Sequence, residues 1–255
     1  LRGNIYLKKH YVDTAILNFN TALLLSPKES ILYSDRADAY YELQMPDESI
    51  EDYTTAIKYM DDDMAKYELI SNRGNARGLK RDFEGAYKDY KTALDFDSTN
   101  VIVMCNIGGV LGDLGREKEA IMYLEKALKL SPNEISAIGN LGLRYIAAGD
   151  YKKAVEKFNR IIELSPDYPL AYNNMGYAKY KMNKLKEALK DIEYSIQLFP
   201  DNSYAYKNRA LVYLAMKQTD KACADLMLAA SLGYTMRYGN EVQQLIEKHC
   251  IFKNL

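Results

Sequence analysis

The chain has 255 residues, enough for one or two ordinary globular domains, with 48 % hydrophobic and 27 % charged residues. Its 34 basic residues are offset by 35 acidic ones, so no positive surplus exists to displace counterions from nucleic-acid phosphates, and a nucleic-acid partner is not expected. No apolar run approaches the roughly 18 residues that span a bilayer, so direct membrane insertion is not expected either.

In chain order, the sequence predicts a series of helical hairpins. The first, residues 1–29, begins in the middle of its first helix, so a further repeat or a linker is expected before Leu1. Hairpins follow at 30–63, 67–100, 101–134, 135–168, 169–202 and 203–236, with a slip at 64–66 and a capping helix and tail at 237–255. Small residues recur at Ala15, Ser49, Ala86, Ala120, Ala154, Ala188 and Ala222, at intervals of 34 apart from one of 37. Four residues after each stands a large side chain: Phe19, Tyr53, Tyr90, Leu124, Phe158, Ile192 and Leu226. A second small column precedes them at Gly3, Ala37, Gly74, Gly108, Gly142, Gly176 and Ala210, and Pro27, Pro132, Pro166 and Pro200 close four of the hairpins.

Spacings of three and four place these residues on one helix face. Small residues let two helix axes approach closely, the large residue fills the space beside them, and the proline stops the second helix. One hairpin cannot bury its apolar face alone, whereas stacked neighbours can. The tyrosine-rich composition, 23 Tyr with 6 Phe and no Trp, suits half-buried helix interfaces in a thin, extended object.

The stretch NLGLRYIAAGDYKKAVEKFNRIIELSPD, from Asn140 to Asp167, resembles a tetratricopeptide repeat in its leucine-glycine, tyrosine, alanine, phenylalanine and proline landmarks. The resemblance covers residues 1–236. The usual tryptophan is replaced by Tyr33, Ile70, Met104, Ile138, Tyr172 and Tyr206. It implies an all-α fold, an α-solenoid wound as a right-handed superhelix of seven helix-turn-helix repeats, with a capping helix in GNEVQQLIEKHC, which ends at Cys250. The ending KACADL, LGY and KHC resembles the last repeat of many bacterial tetratricopeptide proteins.

Around Asp61 to Lys66 the pattern slips by three residues, which predicts a longer loop or an extended helix start capped by Asp63. No catalytic residue, metal site or cofactor is expected. The chain has two histidines, His10 and His249, and the glycines of NIGGVLGDLG fall inside helices rather than on a strand-to-helix turn. His249, Cys250 and Cys223 lack an evident fourth ligand and fit no zinc spacing.

Cys223 and Cys250 stand at similar distances before and after the turn at Gly233–Met236. An antiparallel capping helix would bring them to similar heights, so they are either a disulfide or two reduced thiols packed as small hydrophobes. The compartment follows that alternative: periplasmic or secreted if they are bonded, cytoplasmic otherwise. Cys105 is left over.

Arg36, Arg73 and Arg209 each precede a small-column residue, and Asp52, Asp89 and Asp225 follow them by 16. These are read as structural ion pairs within a hairpin, with Asp191 opposite Met175 as the exception.

Asn72, Asn106, Asn140, Asn174 and Asn208 recur every 34 residues. Each costs a helix interior roughly 0.6 kcal/mol relative to alanine, so helix stability does not favour them. The family resemblance places this column on the concave groove, where an amide can donate to and accept from a peptide backbone. With hairpins about 10 Å apart, one asparagine would meet roughly every third residue of an extended ligand. The alternative is that these amides bond neighbouring helices or water. Tyr177, Tyr180, Tyr204 and Lys207 flank the column toward the C-terminus, and Asp35, Asp38, Glu42, Glu68 and Asp113 toward the N-terminus, so a ligand would meet an acidic and then a tyrosine-rich stretch.

The function these features imply is a non-enzymatic scaffold that holds a protein or peptide. The rivals are a structural assembly protein acting through self-association or its convex face, and a helper region of a larger enzyme.

Overall fold

The computed structural model describes residues 12–250. Gly3, His10, the beginning of the first hairpin and the tail from 251 lie outside the described residues. Two compact bodies divide the chain, 1–132 and 133–255.

In the N-terminal body, α1 (Val12–Leu25) is the second helix of hairpin 1. Three complete hairpins follow: α2 (Ser30–Glu42) with α3 (Pro46–Tyr59), α4 (Asp63–Leu79) with α5 (Phe83–Phe96), and α6 (Val101–Asp113) with α7 (Glu117–Leu130). The C-terminal body contains α8 (Ile135–Ala147) with α9 (Tyr151–Leu164), α10 (Pro169–Lys181) with α11 (Leu185–Leu198), and α12 (Ser203–Ala215) with α13 (Thr219–Ser231). It ends in the short α14 (Tyr234–Tyr238) and in α15 (Glu241–His249). The fold is an all-α solenoid. Each helix packs against the next in the chain, within and between hairpins of one body.

The two columns meet as their sizes require. Ala37, Ala210 and every described member of the other small column from Ala15 to Ala222 are fully buried. A methyl group added at Gly74 would stand 2.8 Å from the Tyr90 ring, at Gly108 2.5 Å from Leu124, at Gly142 2.7 Å from Phe158, and at Gly176 2.5 Å from Ile192. The first and second helices therefore touch at the glycine, and each large side chain lies directly over it.

The turn inside each of the six complete hairpins described is equally regular. Gln44, Arg81, Gly115, Gly149, Asn183 and Lys217 all adopt positive φ. The next residue's N–H reaches back to the first helix, as in Met45 to the Tyr40 carbonyl at 2.9 Å, Arg116 to Leu111 at 2.8 Å and Lys184 to Lys179 at 2.9 Å. This pattern satisfies the last carbonyls of the first helix.

The slip after hairpin 2 is absorbed by α4, which has 17 residues where α2 and α6 have 13. The helix is extended at its start, and its cap is Asp62, not Asp63. The Asp62 carboxylate accepts from the Met64 and Ala65 amides at 2.7 and 3.3 Å. Asp63 is already the first helical residue, from which a side chain cannot turn back onto those amides, and it pairs with Lys66 at 3.0 Å instead.

Candidate functional site

The asparagine column lies on the first helices. In the N-terminal body Asn72 and Asn106 are half-buried on α4 and α6; in the C-terminal body Asn140 and Asn174 are half-buried on α8 and α10. Some of these amides bond across hairpins. Asn106 donates through Nδ2 to Asn75 Oδ1 at 3.2 Å, and that same oxygen accepts the Tyr90 hydroxyl at 2.7 Å. Asn208 donates to Asn173 Oδ1 at 3.0 Å, and Asn173 donates to Asn174 at 3.4 Å. Asn75 and Asn173 were not expected in this network. Neither belongs to a column of its own residue type, so periodicity gives no signal for them.

Asn208 and Lys207 differ from their expected role as groove residues. Asn208 is 1 % and Lys207 3 % exposed. For Asn208 the bonded neighbour is Asn173; for Lys207 the cause is the capping segment, which continues the repeat register. Tyr238, Glu241 and Val242 each stand 34 residues after Tyr204, Lys207 and Asn208. The segment thus stacks on hairpin 7 as another first helix would, without the small and large columns of a complete hairpin. Lys207 Nζ meets Glu241 at 3.3 Å and lies 4.6, 5.5 and 5.9 Å from the ring centres of Tyr204, Tyr177 and Tyr234. Burial pushes the Lys207 ammonium below its usual range, against the opposing pull of Glu241.

The expected tyrosines form two groups. Tyr177 and Tyr180 are half-buried with ring centres 6.0 Å apart, and burial raises the Tyr177 hydroxyl, with Lys181 opposing. Tyr204 stacks at 5.9 Å on Tyr234 and lies 5.2 Å from Tyr238, and burial pushes its hydroxyl up to about 12. Tyr204 is therefore engaged by the cap. In the N-terminal body Asp35, Asp38 and Glu42 follow one face of α2. Tyr53 donates its hydroxyl to Asp38, whose pKa is raised first by burial and then by Asp35 and Glu42.

The arginine–aspartate partners are brought together as forked pairs. Arg36 meets Asp52 at 2.6 and 2.7 Å, Arg73 meets Asp89 at 2.9 and 2.8 Å, and Arg209 meets Asp225 at 2.7 Å twice. Asp191, opposite Met175, is paired with Lys179 at 2.7 Å. Lys179 stands one helical turn after Met175, as Arg77, which also reaches Asp89 at 2.9 Å, stands one turn after Arg73. A cation displaced by one turn reaches the same carboxylate, because residues four apart share a face.

Cys223 and Cys250 are joined as a disulfide with Cα atoms 5.7 Å apart, while Cys105 is buried and takes no part in it. Among the described residues no group of three His, Cys, Asp or Glu side chains could hold a metal ion, and no helix is long and apolar enough to cross a membrane.

A family model described as tetratricopeptide repeat matches residues 102–134 and again 170–202, and one described as TPR repeat matches 142–183. Hsc70-interacting protein 1 of Drosophila melanogaster is 37 % identical over 87 residues, which are 33 % of this chain and 22 % of that protein. Tetratricopeptide repeat protein 13 of Homo sapiens is 27 % identical over 149 residues, 56 % of this chain and 17 % of its own length. The matches thus cover 17 % and 22 % of these relatives. Among solved structures, a tetratricopeptide repeat protein from Parabacteroides merdae is similar at a TM-score of 0.84 and 19 % identity, covering 96 % of each chain. YrrB, described as a TPR protein with an unusual peptide-binding site, is similar at a TM-score of 0.53 and 22 % identity, over 73 % of this chain and 95 % of that one.

Proposed function

The chain is a tetratricopeptide-repeat protein, and on that premise we propose that it is a non-enzymatic scaffold binding extended peptide on the first-helix face of each of its two bodies. Proteins of this family generally mediate protein–protein interactions. The observation that carries the finer reading is the set of four half-buried amides, Asn72, Asn106, Asn140 and Asn174, at strict 34-residue intervals on the first helices. Each amide group can both donate and accept, which is what an extended backbone requires. Asn106 donates across hairpins to Asn75 and Asn174 accepts from its neighbour Asn173 on the same helix, and each keeps hydrogen-bonding capacity beyond the bond described.

Tyr177 and Tyr180 are the aromatic anchors of this reading in the C-terminal body, with Lys181 beside them. Tyr204 and Lys207 are engaged by the cap and Asn208 is buried against Asn173, so the ligand's path excludes them. In the N-terminal body Asp35, Asp38 and Glu42 favour a ligand segment with basic side chains.

The test begins with peptides selected from a random library on the purified chain. Their affinity is then compared between the native protein and a variant carrying Asn106→Ala, Asn140→Ala and Asn174→Ala, with the folded state of each verified by its unfolding curve. A drop of at least about tenfold in a folded variant supports the amide reading, since each lost backbone hydrogen bond is worth ~1 kcal/mol. Undiminished binding sinks it. Loss confined to a Tyr177→Ala, Tyr180→Ala variant would leave aromatic anchoring without the amides.

A further inference from the structure

The capping helix is held on hairpin 7 by three different kinds of contact. Its apolar side is narrow: Val242 is fully buried, Leu245 and Ile246 are half-buried, and Gln243, Gln244, Glu247 and Lys248 are exposed. Its polar anchor is Glu241, which takes the Lys207 ammonium at 3.3 Å and the Tyr234 hydroxyl at 2.9 Å. Its covalent anchor is the disulfide from Cys223, within α13, to Cys250 at the end of α15, closing 27 residues of sequence.

With nine residues, α15 is too short to persist as a helix in water once detached. Gly239, immediately before it, has φ 90°, a conformation that glycine adopts without strain and that suits a hinge. Both cysteines are half-buried rather than sealed, so a small thiol in solution reaches the bond. A cross-link of this kind acts mainly by limiting the freedom of the open state, and a short, thinly anchored helix gains the most freedom when the link is cut.

We propose that the Cys223–Cys250 disulfide is a redox latch: closed, it holds α15 over Lys207; reduced, it lets α15 swing out about Gly239 and uncovers that ammonium, while the hairpins stay folded. In the opening step a dithiol reductant attacks one cysteine sulfur, forming a mixed disulfide as the Cys223–Cys250 bond breaks. Its second thiol then displaces the other sulfur. The reductant leaves as a cyclic disulfide, and two electrons and two protons end on Cys223 and Cys250 as thiols. Lys207 loses Glu241 as its partner and becomes an open ammonium between Tyr177 and Tyr204. The inference stands apart from peptide binding and is tested without a peptide.

The test uses the full chain purified from an oxidising medium, before and after treatment with dithiothreitol. Acylation of Lys207 is read by peptide mass spectrometry against Lys217, which is exposed, and hydrogen exchange is followed across 241–249 and the hairpin helices. In the oxidised protein Lys207 should acylate at least roughly tenfold more slowly than Lys217. After reduction its rate should rise severalfold and exchange should accelerate in 241–249, with α8–α11 still protected and re-oxidation restoring the shielding. Cys250→Ser should behave as the reduced protein does, and Glu241→Gln with the disulfide intact should keep Lys207 shielded.

Four results overturn the proposal. One is unchanged shielding once both thiols are confirmed free by alkylation. Another is free thiols in the oxidised preparation. A third is loss of protection across α8–α11 on reduction. The last is exposure of Lys207 by Glu241→Gln as complete as that produced by reduction, which would make the ion pair the latch.

Discussion

Asp38 and Asn75 hold the same place in consecutive hairpins, and each accepts a hydrogen bond from the large residue behind it, Tyr53 in one hairpin and Tyr90 in the other. The amide performs the bond without charge. The carboxylate performs it while crowded by Asp35 and Glu42. Asp38→Asn should therefore stabilise the fold near neutral pH. The folded pKa of Asp38 lies above its ordinary value of 3.8, so the folded state binds the proton more readily than the unfolded chain. Below that ordinary value both states are protonated and the two proteins should be equally stable. As pH rises through the folded pKa the native protein loses stability that the variant keeps. Urea unfolding at about pH 7 and about pH 3 checks this, and a variant less stable at neutral pH would refute it.

Gly176 faces both Ile192, at 2.5 Å from an added methyl, and the backbone oxygen of Ala188, at 3.0 Å. A side chain can withdraw from such a contact, but a helix backbone cannot do so cheaply. Gly176→Ala should destabilise by ~1–3 kcal/mol through overpacking, despite alanine's better helix propensity. Combining it with Ile192→Ala should cost less than the sum of the single changes, because alanine lacks the Cγ1 that the added methyl meets, a non-additivity that thermal unfolding of the four proteins would reveal.

Lys217 is exposed and held at φ 58°, in the left-handed region that a Cβ disfavours. Glycine stands at the equivalent turn positions Gly115 and Gly149. Lys217→Gly should stabilise by about 0.5–1 kcal/mol, the difference between relieved strain and the greater freedom of an unfolded glycine. A lower melting temperature for the variant would contradict this account.

Lys179 supplies the charge that an arginine at position 175 would otherwise bring to Asp191. Both side chains are largely buried, at 17 % and 12 % exposure. Lys179→Met should cost ~1–3 kcal/mol, less than for a sealed pair because water still reaches the edge of this one. Adding Met175→Arg in that background should recover part of the loss by forming the fork seen at Arg209 and Asp225. Failure of that rescue in equilibrium unfolding would mean that position 175 cannot address Asp191.

The hairpin architecture is legible because size, not chemistry, repeats: Gly74 against Tyr90 and Gly142 against Phe158 are the same contact written twice. The forked ion pairs are legible for a similar reason, since a constant separation of 16 residues spans one turn between two helices of fixed length. Lys179 was not, because a partner one turn away breaks the constant separation while preserving the contact. Asp62 rather than Asp63 caps α4 because the run Asp61 to Asp63 offers three chemically identical candidates, and only backbone geometry selects among them. Asn208 belongs to the amide column by spacing, yet it is buried and bonded to Asn173, and Val242 occupies the column's next place with a different residue type. A column of identical residues says nothing about what covers its last member.

The register shared by Tyr238, Glu241 and Val242 with Tyr204, Lys207 and Asn208 also bears on how long such a chain can be. The cap recognises hairpin 7 through Lys207, Tyr204 and Cys223, none of which has an equivalent of the same type in hairpin 6, where Asn173, Leu170 and Leu189 stand. A duplication or loss of one whole period upstream of residue 203 would leave the cap and its docking partner inherited together. Loss of residues 203–236 would instead set the cap against hairpin 6, without those three side chains. Removal of a whole repeat is therefore open to the hairpins before residue 203 and closed to hairpin 7.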